Sequence, residues 1–224
     1  MKPTETLAHA TTPDGARLTL HRHDGAYMIR LDGVELMSTR RVHSEQQLAV
    51  LACASLGATA GATVLVGGLG FGFTVRAALA LLAPDARVVV AELLREVVEW
   101  NLNPDWPLAA DALADPRVAI VRDDVANVLR ASPDTFDAIL LDVDNGAESF
   151  TTKGNRTLYG HRGIRLAVSA LRAGGVLAYW SVDAEPAFVK SLQAAGLVVA
   201  VHRVRSHATS GGFNAVLLAS VRQH

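Results

Sequence analysis

The sequence predicts a doubly wound α/β fold around a seven-stranded, mostly parallel sheet, with a small β appendage at its N-terminal end. Three observations predict it. From Thr63 onward, short apolar runs alternate with helical segments. Those runs are hydrophobic at consecutive positions, the pattern of strands buried on both faces. The first run opens directly into Gly67-Gly68-Leu69-Gly70-Phe71-Gly72, a tight glycine-rich turn ahead of a helix.

The elements follow in order. Residues 1–16 are polar and predict no regular structure. Residues 17–23 and 26–31 are strand-like and split by Asp24-Gly25, a hairpin signal. Asp32-Gly33 marks a second turn into a short strand at 34–37, giving an appendage of about 25 residues. Ser44 reads as an N-cap for a helix running through Glu45 and Gln46 to about Leu56. Strands are then expected at 63–66, 87–91, 117–121, 136–141 and 175–180, with helices near 73–82, 93–101, 124–131, 159–172 and 185–195. Residues 197–204 and 214–220 are two further strands. The polar link between them is too short for a helical crossover, so this pair should be antiparallel. Five β/α units closed by an antiparallel hairpin is the order of the Rossmann-like class I methyltransferase fold. The expected division is 1–43 for tail and appendage and 44–224 for the Rossmann-like domain.

Bulk properties narrow the function classes. The 224 residues suit one α/β domain with a small appendage, and 50% are hydrophobic, enough for a large core. Lys and Arg number 21 against 22 Asp and Glu; a net charge of -1 gives no electrostatic basis for binding nucleic acid or an anionic membrane. A small molecule is the expected partner. The single cysteine, Cys53, cannot form an internal disulfide and sits in an apolar run, which fits a reducing compartment. Met1 to Thr12 hold no apolar signal core, and no window reaches the roughly 20 apolar residues of a membrane span. A cytoplasmic protein is expected.

Three signals stand at three successive strand ends. Gly67, Gly68, Gly70 and Gly72 allow a sharp strand-to-helix turn and leave no side chain between backbone and ligand. Glu92 follows the second strand, 20 residues beyond Gly72, where a carboxylate can accept both hydroxyls of a ribose. Its alternative is a carboxylate favouring a helix dipole. Asp123-Asp124 follows the third strand, where a carboxylate can accept a bond from an adenine amino group or, alternatively, cap the next helix. Ligands of open α/β sheets bind outside the carboxyl ends of the strands, where all three lie.

The fourth strand ends in Asp142-Val143-Asp144-Asn145-Gly146, and the next helix begins near Tyr159 after a loop of about 15 residues, long for a βα connection. Long loops at this edge carry function. Asp142 is placed to hold an attacking amine and take up a proton; Asp144 adds negative potential for a cationic substrate, as does Glu148 if it is more than a solvated acid. Tyr159 reads either as a lid residue or as an aromatic packing the helix start, and Trp180 either walls the substrate pocket or caps the core. Other constellations carry less. His21-Arg22-His23 has no acid or cysteine cluster beside it, so no metal is expected. The glycine loop lacks the Lys-Ser/Thr pair of a phosphate loop.

At these residues the chain resembles the spermidine synthase family of polyamine aminopropyltransferases. Leu31-Asp32-Gly33-Val34 followed by Ser44-Glu45-Gln46 looks like the family's entry segment, 64–72 like its glycine loop, and Asp115-Pro116-Arg117-Val118 like its third-strand entry. The resemblance implies that Glu92 holds the ribose, Asp124 contacts the adenine, Gln46 contacts the nucleoside and Asp142 is the proton acceptor. It also implies a homodimer. The chain departs from the pattern at three places. The family's loop acid falls on Gly70, its entry tyrosine falls on Glu45, and its second loop acid falls on Asn145 unless Asp144 replaces it.

The expected function is therefore group transfer from S-adenosylmethionine or its decarboxylated form to a small, possibly amine, acceptor. Methyl transfer ranks slightly ahead of aminopropyl transfer with Asp144 or Glu45 as replacement acid. A catalytically silent nucleoside-binding dimer ranks third.

Overall fold

The computed structural model describes residues 3–142 and 158–221, which form two sheets. The first is an antiparallel meander of β1 (Glu5–Thr11), β2 (Arg17–His23), β3 (Ala26–Leu31) and β4 (Val34–Ser38). Both expected Asp-Gly turns are present. Asp24 (φ 49°) with Gly25 (φ 76°), and Asp32 (φ 47°) with Gly33 (φ 86°), are left-handed at both central positions, which matches the twist of the strands they join. β1 corrects the expectation that residues 1–16 lack regular structure. Its apolar content is thin, and pairing with β2 holds it: Arg22 donates to Glu5 at 2.8 Å, and Thr6 meets the His21 ring at 3.2 Å. His23 likewise meets Thr4 at 3.3 Å, so the His-Arg-His run is engaged across the strands.

The apolar runs form the second sheet. Its strands are β5 (Thr63–Gly67), β6 (Arg87–Ala91), β7 (Val118–Val121), β8 (Phe136–Leu141), β9 (Leu171–Ser181), β10 (Leu197–Arg205) and β11 (Phe213–Val221), in the order β10-β11-β9-β8-β5-β6-β7. β5 to β9 pair in parallel, and β11 runs antiparallel to both β9 and β10, as expected. β9 starts at Leu171, earlier than expected, because an irregularity absorbs the intervening residues: Phe136 pairs with Leu171 and Ala138 with Val176.

Helices cover both faces. They are α1 (His43–Cys53), α2 (Phe73–Leu81), α3 (Arg95–Leu102), the short α4 (Ala110–Leu113), α5 (Val125–Ala131), α6 (His161–Ala170) and α7 (Pro186–Ala194). Val64, Val66, Val88, Val90, Ala138 and Leu140 face the layer of α1 to α4. Leu65, Val89, Ala91, Ile139, Leu141 and Tyr179 face α5 to α7. Burial on both sides is why the strands read as unbroken apolar runs. Leu18, Leu20, Tyr27, Ile29 and Leu31 of the first sheet join the same core as Leu48 and Val64, so the appendage packs on the α1–α2 side. Ser44 is not the cap expected. α1 starts two residues earlier, after Val42, and Ser44 is buried on the helix face that also carries Leu48. α4 had no signal strong enough to predict it.

One motif finds a structural use here. Arg117 pairs with Asp115 at 2.8 Å and donates to the carbonyls of Leu79 (3.0 Å), Leu82 (3.1 Å) and Ala83 (3.3 Å). A cation thus satisfies the orphan carbonyls at the end of α2. No helix among the described residues is long and apolar enough to cross a membrane.

Candidate active site

Backbone bonds stitch the carboxyl ends of the central strands together. Asp142 N donates to Gly67 O (3.0 Å), Gly68 N to Ala91 O (2.9 Å) and Glu92 N to Val121 O (3.0 Å). Neighbouring strands lie about 4.8 Å apart, so the Asp142 and Glu92 backbones, two strands apart, are separated by about 10 Å, and Asp124 lies one strand further. Trp180 and Ser181 end β9 on the other side of Asp142.

The glycines of the loop serve packing as well as access. A Cβ on Gly67 would stand 2.9 Å from Leu141 Cδ2 and 3.0 Å from Val125 Cγ2. At Gly70 (φ 52°) it would stand 3.1 Å from Met37 Sδ, so β4 of the appendage abuts the loop. Gly72 caps α2 with φ 73°, and a Cβ there would stand 2.6 Å from the Cβ of Ala109. Gly72→Ala is expected to cost about 2–4 kcal/mol, from left-handed strain and overlap with a side chain that has no rotamer to escape into. Urea denaturation measures it; a loss below about 1 kcal/mol would mean the loop re-forms freely. Gly68 (φ 87°) is the remaining loop glycine.

Glu92 is 9% exposed and closes the loop from beneath. Its Oε2 accepts from Leu69 N at 2.9 Å and its Oε1 from Leu94 N at 2.8 Å. Burial pushes its pKa up, and these backbone N–H groups oppose the shift. Each oxygen retains a lone pair for a further donor. Asn101, 1% exposed on α3, donates through Nδ2 to Gly70 O and Val97 O, both at 2.8 Å, and holds the loop from the helix side.

Asp124 caps α5, accepting from Ala126 N at 2.7 Å through Oδ1. Asp123 turns to the same helix end, where Oδ1 accepts from Asn127 Nδ2 (2.8 Å) and Asp124 N (2.7 Å). The Asn127 amide, then the Asp124 N–H, lower its pKa. Its Oδ1 is therefore engaged at the α5 end.

The second cluster gathers at the tip of β8. Thr74, in the first turn of α2, is buried, and its hydroxyl lies 3.3 Å from Glu45 O and 3.5 Å from Asp142 Oδ2. The Glu45 carboxyl meets the field of Asp142. Burial raises Glu45 well above the carboxylate range, and the Asp142 charge raises it further. Burial pushes Asp142 up to about 6, against the Thr74 hydroxyl. Both groups keep some exposed surface while protein encloses them, as in a crevice. Among the described residues no Lys, Arg or His forms an ion pair with either.

Two solved structures of the same shape are spermidine synthases. The one from Thermotoga maritima superposes with a TM-score of 0.72 at 18% identity, over 96% of this chain and 72% of that one. The other, in complex with the transition-state analogue AdoDATO, gives 0.77 at 18% identity, over 96% of this chain and 73% of that one. The chain has the spermidine synthase fold. No family model matches the sequence, and no curated protein matches it.

Within this spermidine synthase fold, the structure brings Glu45, Thr74 and Asp142 together and places Glu92 and Asp124 at strand tips two and three strands away. Gln46 follows Glu45 in the first turn of α1, partly buried. Trp180 is half-buried against the α1 layer, and its Nε1 has no hydrogen-bond partner among the described residues. Tyr159 is 6% exposed and packs on Tyr179 (5.5 Å between centroids) and Phe188 (5.1 Å), in the layer of α5 to α7. Asp144 lies outside the described residues. Sequence reasoning missed Thr74, Asn101 and Met37. A polar residue opening α2 was a signal for Thr74, and an Asn among Val97, Val98 and Trp100 was one for Asn101. Met37 gave none, because its contact joins the two sheets.

Proposed function

We propose that the chain is an aminopropyltransferase-type enzyme, moving a group from decarboxylated S-adenosylmethionine to a small amine. The observation that carries this reading is the pair of crowded carboxyl groups, Glu45 and Asp142, with no cation paired to either among the described residues. Such a pair needs a positive partner. An amine acceptor brings one, and a decarboxylated donor brings another. The intact donor carries its own carboxylate, which this pair repels. The spermidine synthase likeness supports the same choice. Glu45 then does the work of the acid that the loop lacks at Gly70. Glu92 accepts from the ribose hydroxyls, Asp124 from the adenine through its second oxygen, and Gln46 borders the nucleoside.

When bound, the donor supplies a carbon already activated by its sulfonium, so the chain's task is alignment and the handling of one proton. Asp142 takes the proton that an attacking ammonium must lose. The new N–C bond forms as the C–S bond breaks, and the thioether departs. Glu45 holds the nitrogen in line through charge. Methyl transfer is the second reading, since the loop carries Gly70 where the spermidine synthase pattern has an acid.

Calorimetric titration with S-adenosylmethionine, its decarboxylated form and methylthioadenosine separates these. The decarboxylated donor is expected to bind at least about tenfold tighter than the intact one, and Glu45→Gln to shrink that ratio. Equal or reversed affinities would favour methyl transfer, and no binding of any of the three would end the enzyme reading.

A further inference from the structure

α5 and α6 lie side by side on the sheet face opposite Glu45, Thr74 and Asp142. Both send apolar residues to the sheet: Val125, Val128 and Leu129 from α5, Ile164, Ala167 and Ala170 from α6. Between their outer flanks is a cavity of about 210 Å³. Ala126 and Arg130 of α5 line it, with Arg162, Gly163 and Leu166 of α6 and Leu158 just before that helix. Leu158 and Gly163 are buried, while both arginines are exposed at the rim. Apart from the two guanidinium groups, the lining side chains are therefore apolar.

Neither cation is neutralised. No Asp or Glu lines the cavity, and neither arginine forms an ion pair among the described residues. Arg130 donates through Nη1 to Asn127 Oδ1 at 2.8 Å, and Asn127 is fixed in turn by donating Nδ2 to Asp123 Oδ1 at 2.8 Å. A neutral amide thus holds this guanidinium in place and leaves its charge available, which lowers the cost of ordering it around a ligand. A single exposed arginine is ordinarily just solvated. Two that share one cavity with an apolar lining and no acid make a place for an anion with an organic part.

We propose that the groove between α5 and α6 binds a phosphate monoester carrying a short apolar group. Two positive charges match a phosphate monoester, which carries about −1.5 to −2 near neutral pH, better than a carboxylate. Its oxygens accept from guanidinium forks, and Ala126, Leu158 and Leu166 receive the organic part. The cavity is smaller than the roughly 300–1,000 Å³ of pockets for drug-sized ligands, so a compact ester suits it and a nucleotide does not. The site stands apart from the transfer chemistry and does not depend on it.

Nuclear magnetic resonance titration of the isotope-labelled full chain tests it. n-Butyl phosphate is expected to shift the amide signals of Ala126 and Gly163. It should bind at least about fivefold tighter than inorganic phosphate, because its butyl carbons leave water. Pentanoate, with a similar tail and one charge, should bind more weakly than the ester. Arg130→Gln and Arg162→Gln are each expected to weaken the ester by about tenfold, with unchanged circular dichroism. Arg165→Gln removes an exposed cation from the same helix outside the groove and should keep wild-type affinity. No binding of the ester, equal binding of ester and inorganic phosphate, or equal binding of ester and pentanoate would each overturn the proposal. So would an R165Q effect as large as that of R162Q, or shifts confined to the glycine loop at 67–72.

Discussion

Replacing Asp142 by Asn is expected to slow group transfer by about 10²–10⁴-fold while nucleoside affinity stays close to that of the wild type. Asn keeps the shape and the contact to Thr74 but cannot take a proton. Glu92 and Asp124 lie two and three strands away, so the residues proposed to hold the nucleoside are untouched. The pH profile adds a second readout. Asp142 is pushed up to about 6, so kcat/KM of the wild type should rise with pH and level off above that value. In the variant that limb should be gone. Stability gives a third. A carboxyl raised by burial holds its proton in the folded state at pH values where the unfolded chain has released it. Stability is therefore greater in acid and declines as pH rises from the ordinary carboxylate range through about 6. The Asn variant removes a charge that burial disfavours and should melt higher than the wild type near neutral pH. Full turnover in the variant would remove Asp142 from the chemistry. An unchanged melting temperature would remove that burial cost from the argument.

The second large effect is expected at Glu92. Glu92→Ala strips the acceptors from Leu69 N and Leu94 N and withdraws the carboxylate proposed for the ribose. Each buried N–H left without a partner costs about 1–3 kcal/mol, so the fold itself should weaken. Nucleoside affinity should fall by about 100-fold or more, the equivalent of two lost charge-assisted bonds. Glu92→Gln separates the two roles: it restores one acceptor but turns an amide N–H₂ toward a backbone donor, so stability should recover in part and affinity little. Calorimetry and thermal melts read both quantities. Wild-type affinity in the Ala variant would mean that the carboxylate serves the loop and nothing else.

The sheet was legible because its physics is local. Val88-Val89-Val90 and Ile139-Leu140-Leu141 face apolar layers on both sides, and short β-branched and leucine-rich runs bounded by turns write that pattern. The Asp24-Gly25 and Asp32-Gly33 turns were legible for a similar reason, since few residue pairs tolerate two left-handed positions in a row. β1 was not, because its place depends on partners such as Arg22 and His21 on the next strand. Ser44 misled, because a good capping residue can also be drawn into a core. At the site, strand tips could be counted from the sequence, which set Glu92, Asp124 and Asp142 in a row. The placement of α1 over β8 could not, so the meeting of Glu45 with Asp142 emerged only from the packed structure. The glycine loop was half understood: Gly67 and Gly72 are demanded by Leu141, Val125 and Ala109 before any ligand is considered.

The contact of Gly70 with Met37 ties two distant stretches of chain into one evolutionary unit. A side chain introduced at 70 meets the sulfur of a residue from the other sheet, so substitution at one position changes which substitutions are tolerated at the other. A lineage that acquires a carboxylate in the loop must also move the end of the Met37 side chain by a few tenths of an ångström or replace it. That coupling between the two sheets constrains the routes by which the loop proposed to hold the donor can change.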